Sequence, residues 1–180
     1  MSAASDDPRR PAGAAERGMH DQTRISDLCL AVALAVELAA RASHSGERTI
    51  MGIVGPPGSG KSTVAQKIIQ ALGDDAVLVP MDGFHLAQEE LVRLGRRDRM
   101  GAPDTFDVTG FASLLGRLRR RDEDVVYAPR FDRSIELPIA GAIAIPRDVP
   151  LIITEGNYLL HDGEGWQALA PLLDTTWYVE

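Results

Sequence analysis

The chain has 180 residues, 44% of them hydrophobic, which predicts one soluble globular domain with a buried core. Its net charge of −7 argues against nucleic acid or an anionic membrane surface as a partner. The one cysteine, Cys29, excludes an internal disulfide and favours a cytoplasmic location. Because Cys29 lies in an apolar run, we expect its thiol to be buried and inert.

The N-terminal part divides into a polar segment and an apolar segment. Residues 1–23 are rich in Ala, Asp, Arg, Gly and Pro and lack a hydrophobic signal segment, which predicts a disordered tail before a domain over residues 24–180. Apolar residues then recur at four-residue spacing, which predicts a buried helix over residues 25–41. This stretch contains Glu37 and is shorter than the ~20 residues of a membrane span, so we expect it to pack in the core.

The rest of the chain alternates strands with helices. The pattern predicts strands over Thr49–Val54, residues 77–81, 151–154 and Thr175–Val179, and helices over residues 62–72, 111–118 and 166–173. A short strand near residues 125–127 and a strand and turn over residues 135–145 are also expected. This alternation predicts an α/β fold with a parallel sheet and helices on both faces. Such sheets bind ligands at the carboxyl ends of their strands.

A glycine-rich turn follows the strand Thr49–Val54 and matches the pattern G-x-x-x-x-G-K-[ST] in full. The predicted nucleotide-binding residues are Gly55, Pro56, Pro57, Gly58, Ser59, Gly60, Lys61, Ser62 and Thr63. Glycines let successive N–H groups point at one anion, and the helix that follows adds its N-terminal dipole. Lys61 supplies a charge for the β- and γ-phosphates, and the Ser62 hydroxyl suits Mg²⁺. We call residues 55–62 the phosphate loop and predict that it binds ATP with Mg²⁺.

Two carboxylates stand at the ends of other predicted strands. Asp82 follows residues 77–81, and Glu155 follows residues 151–154. A carboxylate beside a phosphate loop can hold Mg²⁺ or take the proton from an attacking hydroxyl, although either acid could instead cap the next turn. The chain has neither the guanine-reading N-K-x-D of a GTPase nor the L-S-G-G of a transport ATPase. The D-x-x-G at Asp107 is better explained as a helix N-terminus.

The order of these motifs resembles that of the phosphoribulokinase/uridine kinase superfamily, which also contains bacterial pantothenate kinase. The matching blocks are the phosphate loop, M-D-G-F-H from Met81, G-A-P-D-T-F-D from Gly101 and T-E-G-N from Thr154. The nearest resemblance is to its bacterial nucleoside/nucleotide kinase-like branch, often described as sugar (fructose) kinases. The resemblance runs over residues 25–180 and implies the three-layer P-loop NTPase fold.

The resemblance also implies roles for single residues. Asp82 matches the acid taken as catalytic base, and Glu155 matches the acid associated with Mg²⁺. The phosphate-loop chemistry adds Lys61 as the second predicted catalytic residue, because its charge acts on the phosphates. The residues implied for the acceptor side are His85, Asp104, Tyr127, Arg130 and Arg133.

Alternatives stay open for several of these positions. Arg130 and Arg133 either pair with an anionic acceptor or are surface arginines. His85 either contacts the substrate or is satisfied within its own turn. Tyr127 and Phe131 are expected in the core, with stacking on a base as the alternative.

Kinases of this superfamily continue past the strand that matches Thr175–Val179 into an arginine-bearing lid and a last strand, whereas this chain ends at Glu180. We therefore expect Thr175–Val179 to be an inner strand with an unprotected edge, which favours aggregation or a homodimer. The predicted function is an ATP-dependent kinase acting on a hydroxyl of a nucleoside, pantothenate or a sugar. The alternative is a nucleotide-binding module or regulatory ATPase with little kinase activity.

Overall fold

The structure, a computed structural model, describes residues 21–180. Within this range the strands are β1 (Asp21–Ile25), β2 (Thr49–Val54), β3 (Ala76–Pro80), β4 (Val125–Asp132), β5 (Leu137–Pro146), β6 (Leu151–Gly156) and β7 (Thr175–Val179). The α-helices are α1 (Leu28–Ser45), α2 (Lys61–Leu72), α3 (Gln88–Arg93) and α4 (Val108–Arg120). Short 3-10 helices connect several of these elements.

A five-stranded sheet forms the centre of the fold. Its order is β1-β7-β2-β6-β3, and every neighbouring pair is parallel. The helices α1 and α2 pack on one face, while α4 and the segment after β6 pack on the other. The buried face of α4 consists of the predicted Phe111, Leu114, Leu115 and Leu118, together with Val108. The predicted α/β P-loop NTPase fold is confirmed.

Strand β7 is an inner strand, as expected, but its edge is not exposed. Strand β1 pairs with it in parallel, from Asp21 opposite Thr175 to Ile25 opposite Val179. The expectation of an unprotected edge is therefore wrong. The predicted tail also ends too late, because β1 begins at Asp21; residues 1–20 lie outside the described range. Strand β1 has a mostly polar sequence, yet its Ile25 is 5% exposed and packs in the core between the sheet and α1.

Helix α1 begins and ends three to four residues later than predicted and buries different residues. It begins after Asp27, whose carboxylate accepts hydrogen bonds from the N–H groups of Cys29 and Leu30. The buried stripe is made of Ala31, Ala35, Ala39 and Ala42. Leu30 is 53% exposed and Cys29 is exposed, so the predictions of a broadly buried helix and a buried thiol are wrong. Alanines let the helix approach α2 and the sheet closely, which leaves the larger side chains at the flanks.

By length and composition alone, α1 could cross a membrane, although in the fold its alanine stripe packs against other elements. Such a helix near the N-terminus is weak evidence for a span, because core helices pass the same test.

Strands β4 and β5 form a separate antiparallel hairpin. Side chains alternate across it, so Val126 and Ala128 are buried whereas Tyr127 is 58% exposed. The expectation that Tyr127 lies in the core is wrong for this reason. The predicted helix over residues 166–173 is instead two 3-10 helices, Trp166–Ala168 and Ala170–Leu172. The second contains Pro171, which has no N–H to donate to a continuous α-helix.

Candidate active site

The phosphate loop joins the central strand β2 to α2. Gly60 stands at the N-cap of α2 with a φ of 92°, a conformation that glycine adopts far more readily than other residues. No side chain caps this helix, so the first N–H groups of α2 are not satisfied by a cap. The buried Ser59 hydroxyl also has no hydrogen-bond partner among the described residues. Unsatisfied donors at a helix N-terminus fit an anionic phosphate group.

Lys61 is the buried cation of this loop. Its side chain belongs to a residue that is 7% exposed, and its ammonium donates to the Pro56 carbonyl at 2.7 Å. Burial lowers the pKa of Lys61, while the charges of Glu155 and Asp82 act to raise it. The lysine therefore lies within electrostatic reach of both carboxylates that the sequence placed at strand ends.

Ser62 and Glu155 form the part of the site suited to a metal ion. The Ser62 hydroxyl lies 3.2 Å from each carboxylate oxygen of Glu155. Among the described residues no cluster of three or more His, Cys, Asp or Glu side chains forms a complete metal site. Two adjacent protein oxygens nevertheless fit Mg²⁺, which commonly takes one or two protein ligands and completes its shell with phosphate oxygens and water.

Burial and a neighbouring charge act together on Glu155. Burial raises the pKa of this carboxyl group, and the charge of Asp82 raises it further. The Ser62 hydrogen bond and the charges of Lys61 and Arg133 oppose that shift. A cation bound beside Glu155 would lower its pKa, as the charges of Lys61 and Arg133 do, and so favour the ionised carboxylate.

Asp82 lies in the 3-10 helix Met81–Phe84 that follows β3. The hairpin packs directly on this turn: a Cβ atom added at Gly83 would lie 2.5 Å from the Pro129 carbonyl oxygen. The glycine of the D-G-F-H block is thus required by the close approach of β4. The same hairpin carries Arg133, whose guanidinium lies 3.4 Å from the Asp82 carboxylate.

His85 packs between aromatic rings at the start of the next connection. Its ring centroid lies 4.0 Å from that of Phe106 and 4.9 Å from that of Phe131. The His85 Nδ1 atom lies 2.9 Å from the Asp82 carbonyl oxygen, so one ring nitrogen is satisfied within the turn. His85 also lines a cavity, which means that both roles considered for it are compatible with the geometry.

This cavity of about 260 Å³ adjoins the Asp82 carboxylate, and we call it the acceptor cavity. Its lining residues are Asp82, His85, Met100, Phe131, Arg133 and Glu136. Sequence reasoning missed Met100 and Glu136 and expected Phe131 in the core. Strict alternation from the buried Val126 and Ala128 would favour Arg130 over Phe131, but the register of β4 is irregular between Ala128 and Arg130. Nothing in the sequence indicated this irregularity, or that the hairpin tip would bring Glu136 here.

Three of the residues implied for the acceptor side do not line this cavity. Asp104 forms ion pairs with Arg96 and Arg99, which hold its own loop together. Tyr127 and Arg130 are exposed on β4. The structure therefore brings His85 and Arg133 to Asp82 but leaves Asp104, Tyr127 and Arg130 outside the cavity.

A second cavity, of about 380 Å³, adjoins the start of the phosphate loop and was not foreseen from the sequence. Its lining residues are Val54, Gly55, Pro56, Pro57, Asn157, Tyr158, Leu160, His161 and Tyr178.

Most of the similar known proteins are named as kinases, whereas no family model matches the chain. It is 35% identical over 142 residues to a Schizosaccharomyces pombe protein named as a candidate uridine kinase, a match that covers 74% of this chain and 60% of that protein. It is 30% identical over 160 residues to the pantothenate kinase of Streptomyces avermitilis, covering 82% and 48%. The chain thus spans only about half to three fifths of the length of these curated relatives.

A solved structure from Silicibacter sp. TM1040, described as a candidate fructose transport system kinase, has the same fold. The TM-score is 0.72 at 36% identity, and the match covers 83% of this chain and 74% of that one. The two proteins are therefore similar in both sequence and fold over most of their lengths.

Proposed function

Because the chain belongs to the phosphoribulokinase/uridine kinase superfamily of P-loop kinases, we propose that it transfers the γ-phosphoryl group of ATP to a hydroxyl group of a small molecule. One observation carries this proposal. Asp82 lies within electrostatic reach of Lys61 and Glu155 on one side and borders the acceptor cavity on the other. A carboxylate between a phosphate site and a substrate-sized cavity can take the proton of an attacking hydroxyl.

In this proposal the remaining residues divide the work of binding. The loop amides and Lys61 hold the β- and γ-phosphates, and Ser62 with Glu155 holds Mg²⁺, which neutralises charge on the transferred group. Arg133 forms an ion pair with the Asp82 carboxylate, and its exposed side chain can also reach an anionic group of the acceptor. His85 and Phe131 form the aromatic wall of the acceptor cavity.

Three acceptor classes are supported by the names of relatives: a nucleoside, pantothenate and a sugar. The aromatic wall suits a planar base, whereas Arg133 suits a carboxylate. A second candidate function, nucleotide binding or ATP hydrolysis with little transfer, is favoured by the wide exposure of the hairpin tip, where Arg133 is 85% exposed. Open sites admit water to the phosphates.

The deciding experiment is a phosphotransfer screen over nucleosides, pantothenate and sugars with ATP and Mg²⁺. The wild-type protein should phosphorylate one acceptor class, and Asp82→Asn should abolish transfer while ATP affinity stays within about twofold, because the amide keeps the shape but accepts no proton. Asp75→Asn, an exposed acid after α2, is the matched control. ATP hydrolysis without transfer to any acceptor would favour the second candidate. Equal loss of binding and turnover in Asp82→Asn would assign Asp82 to the metal instead.

A further inference from the structure

Five arginines line a cavity of about 530 Å³ at the end of the sheet opposite the phosphate loop. They are Arg48, Arg119, Arg120, Arg121 and Arg147. Arg48 immediately precedes β2 and Arg147 lies shortly before β6, so the cavity faces the amino ends of the strands whose carboxyl ends carry the candidate active site. Glu47 is the only acidic residue in its lining. We call this the arginine cavity.

Arg48 is buried there without a carboxylate partner among residues 21–180. It is 6% exposed and donates to four backbone carbonyls, those of Leu118, Pro146, Arg147 and Val149, at 2.7–3.0 Å. Burial lowers the pKa of Arg48 to about 10; the charge of Arg121 lowers it further, and the charge of Asp148 acts to raise it. The guanidinium groups of Arg48 and Arg121 both donate to the Arg147 carbonyl at 2.9 Å, so they are close enough to repel each other, and hydrogen bonds to carbonyls do not cancel their charge.

Arg121 adopts a backbone conformation that is unusual for its residue type. It occupies the C-cap of α4 with a φ of 53°, where glycine is the common choice and other residues are strained by about 1 kcal/mol. Its guanidinium donates to the carbonyls of Gly46 and Arg147. Since a guanidinium carries five N–H donors, three of those of Arg121 are left. It has no acidic partner in the described part of the chain.

Other arginines of the cavity also have N–H groups that make no hydrogen bond among the described residues. Arg120 makes one hydrogen bond, to Asp122 at 3.3 Å. Arg147 pairs with Asp124 at 3.0 Å and donates to the carbonyls of Glu123 and Asp122, and Arg119 pairs with Asp174 at 3.0 Å. The buried Nε atom of Arg119 has no partner within residues 21–180. None of the acids paired with these side chains lines the cavity, whose lining holds five arginines and one acid, Glu47.

We propose that the arginine cavity is a second ligand site, separate from the phosphate loop, which binds a small anion carrying two or more phosphate or carboxylate groups. Guanidinium groups match both oxyanions through paired N–H donors, and several convergent guanidiniums favour a multiply charged ligand over a single charge. The cavity volume is within the range of small-molecule sites. An anion there would relieve the repulsion between Arg48 and Arg121 and would satisfy the free donors.

The test uses inorganic pyrophosphate and citrate as probes, with the full chain carrying Lys61→Ala so that the phosphate loop contributes little. Calorimetric titration at low ionic strength should show binding of at least one probe. Arg121→Gly removes a lining guanidinium and suits the positive φ, so it should retain the fold and weaken binding by about tenfold or more, as loss of a charged hydrogen-bond donor does. Arg120→Gln should act in the same direction. Arg41→Gln, which changes the net charge equally away from the cavity, should have no effect.

The relative affinities of the two probes assign the ligand as phosphate-bearing or as a polycarboxylate. Three results would overturn the proposal: neither probe binds, Arg121→Gly and Arg120→Gln leave binding unchanged, or Arg41→Gln weakens it equally. Thermal unfolding of each variant without a probe verifies that a loss of binding does not reflect a loss of folding.

Discussion

The Ser62 hydroxyl lies 3.2 Å from both carboxylate oxygens of Glu155, a residue 93 positions further along the chain. The contact joins the first turn of α2 to the carboxyl end of β6, the neighbour of β2 in the sheet. It brings the two protein oxygens proposed for Mg²⁺ together before any nucleotide binds. Because the pKa of Glu155 is raised, its protonation should affect both the stability of the protein and its affinity for Mg²⁺.

We expect Glu155→Gln to affect stability and metal binding in opposite directions. Because the pKa of Glu155 is raised in the folded protein, its contribution to stability is full below the ordinary carboxyl pKa and is lost as the pH rises through the raised value. Glu155→Gln should therefore increase the free energy of unfolding of the nucleotide-free protein near pH 7 and change it little near pH 4. Denaturant titrations at the two pH values measure this, with the exposed Glu89→Gln as control.

The same variant should bind Mg²⁺–ATP more weakly, since an amide is a poorer ligand than a carboxylate. In the wild-type protein, Mg²⁺ affinity should fall by about tenfold per pH unit once the pH is below the raised pKa of Glu155, because the metal displaces the proton. Mg²⁺ affinity that does not depend on Glu155 would place the metal elsewhere.

Lys61→Ala should weaken ATP binding by roughly 2–4 kcal/mol, as truncation of one partner of a buried charge pair does. Lys67 is a matched control, because it lies on the same helix, is exposed and is the only other lysine. Calorimetry of both alanine variants with ATP makes the comparison. If Lys61→Ala and Lys67→Ala bind ATP equally well, the phosphate loop is not the nucleotide site.

Gly83→Ala should disturb the position of Asp82. The added methyl group would press on the Pro129 carbonyl and push the hairpin away, with a destabilisation of about 1–3 kcal/mol. Turnover should fall more than ATP affinity, since the phosphate loop is not part of this contact. Gly116→Ala in α4 meets only the end of the Arg120 side chain at 3.8 Å, and should be neutral or stabilising by up to about 1 kcal/mol. Equal effects of the two variants would refute this account of Gly83.

Ile25→Asp should detach β1 from the sheet. Ile25 is 5% exposed in the core beneath α1, and a buried unpaired carboxylate there should lower stability by several kcal/mol. The freed edge of β7 should then promote association, visible by size-exclusion chromatography at increasing protein concentration. Ser26→Asp makes a similar change in charge at an exposed neighbouring position and should remain unchanged in size and stability. A monomeric, stable Ile25→Asp protein would show that β1 does not protect β7.

The sequence predicted those parts of the site that depend on local patterns. The phosphate loop, the acids at the carboxyl ends of β3 and β6, and the Asp107 cap of α4 each combine a short motif with a strand or helix of clear periodicity. Strand β1 escaped prediction because, among its described side chains, Ile25 is the one in the hydrophobic core, and the strand is also held by its pairing with β7.

Tertiary packing determines which face of a helix is buried and which distant residues meet, and the periodicity of the sequence does not predict either. The apolar pattern of α1 indicated a helix but not which side faces the sheet, and the alanines rather than the leucines took that side. On the acceptor side, Glu136 reaches the cavity only because the hairpin folds back over the turn that carries Asp82. No local signal specifies such a long-range approach.

The pairing of β1 with β7 has a consequence for how the chain folds. Asp21 is among the first described residues to leave the ribosome, whereas its partner Thr175 is among the last. The edge strand must therefore wait, unpaired, until almost the whole domain has been synthesised. Such a long sequence separation between partners slows folding, because the entropy of closing the intervening chain is lost before any pairing energy is gained. Until β7 has been synthesised, the segment that later pairs with it has no partner in the sheet, and unpaired strands of this kind favour association with other chains.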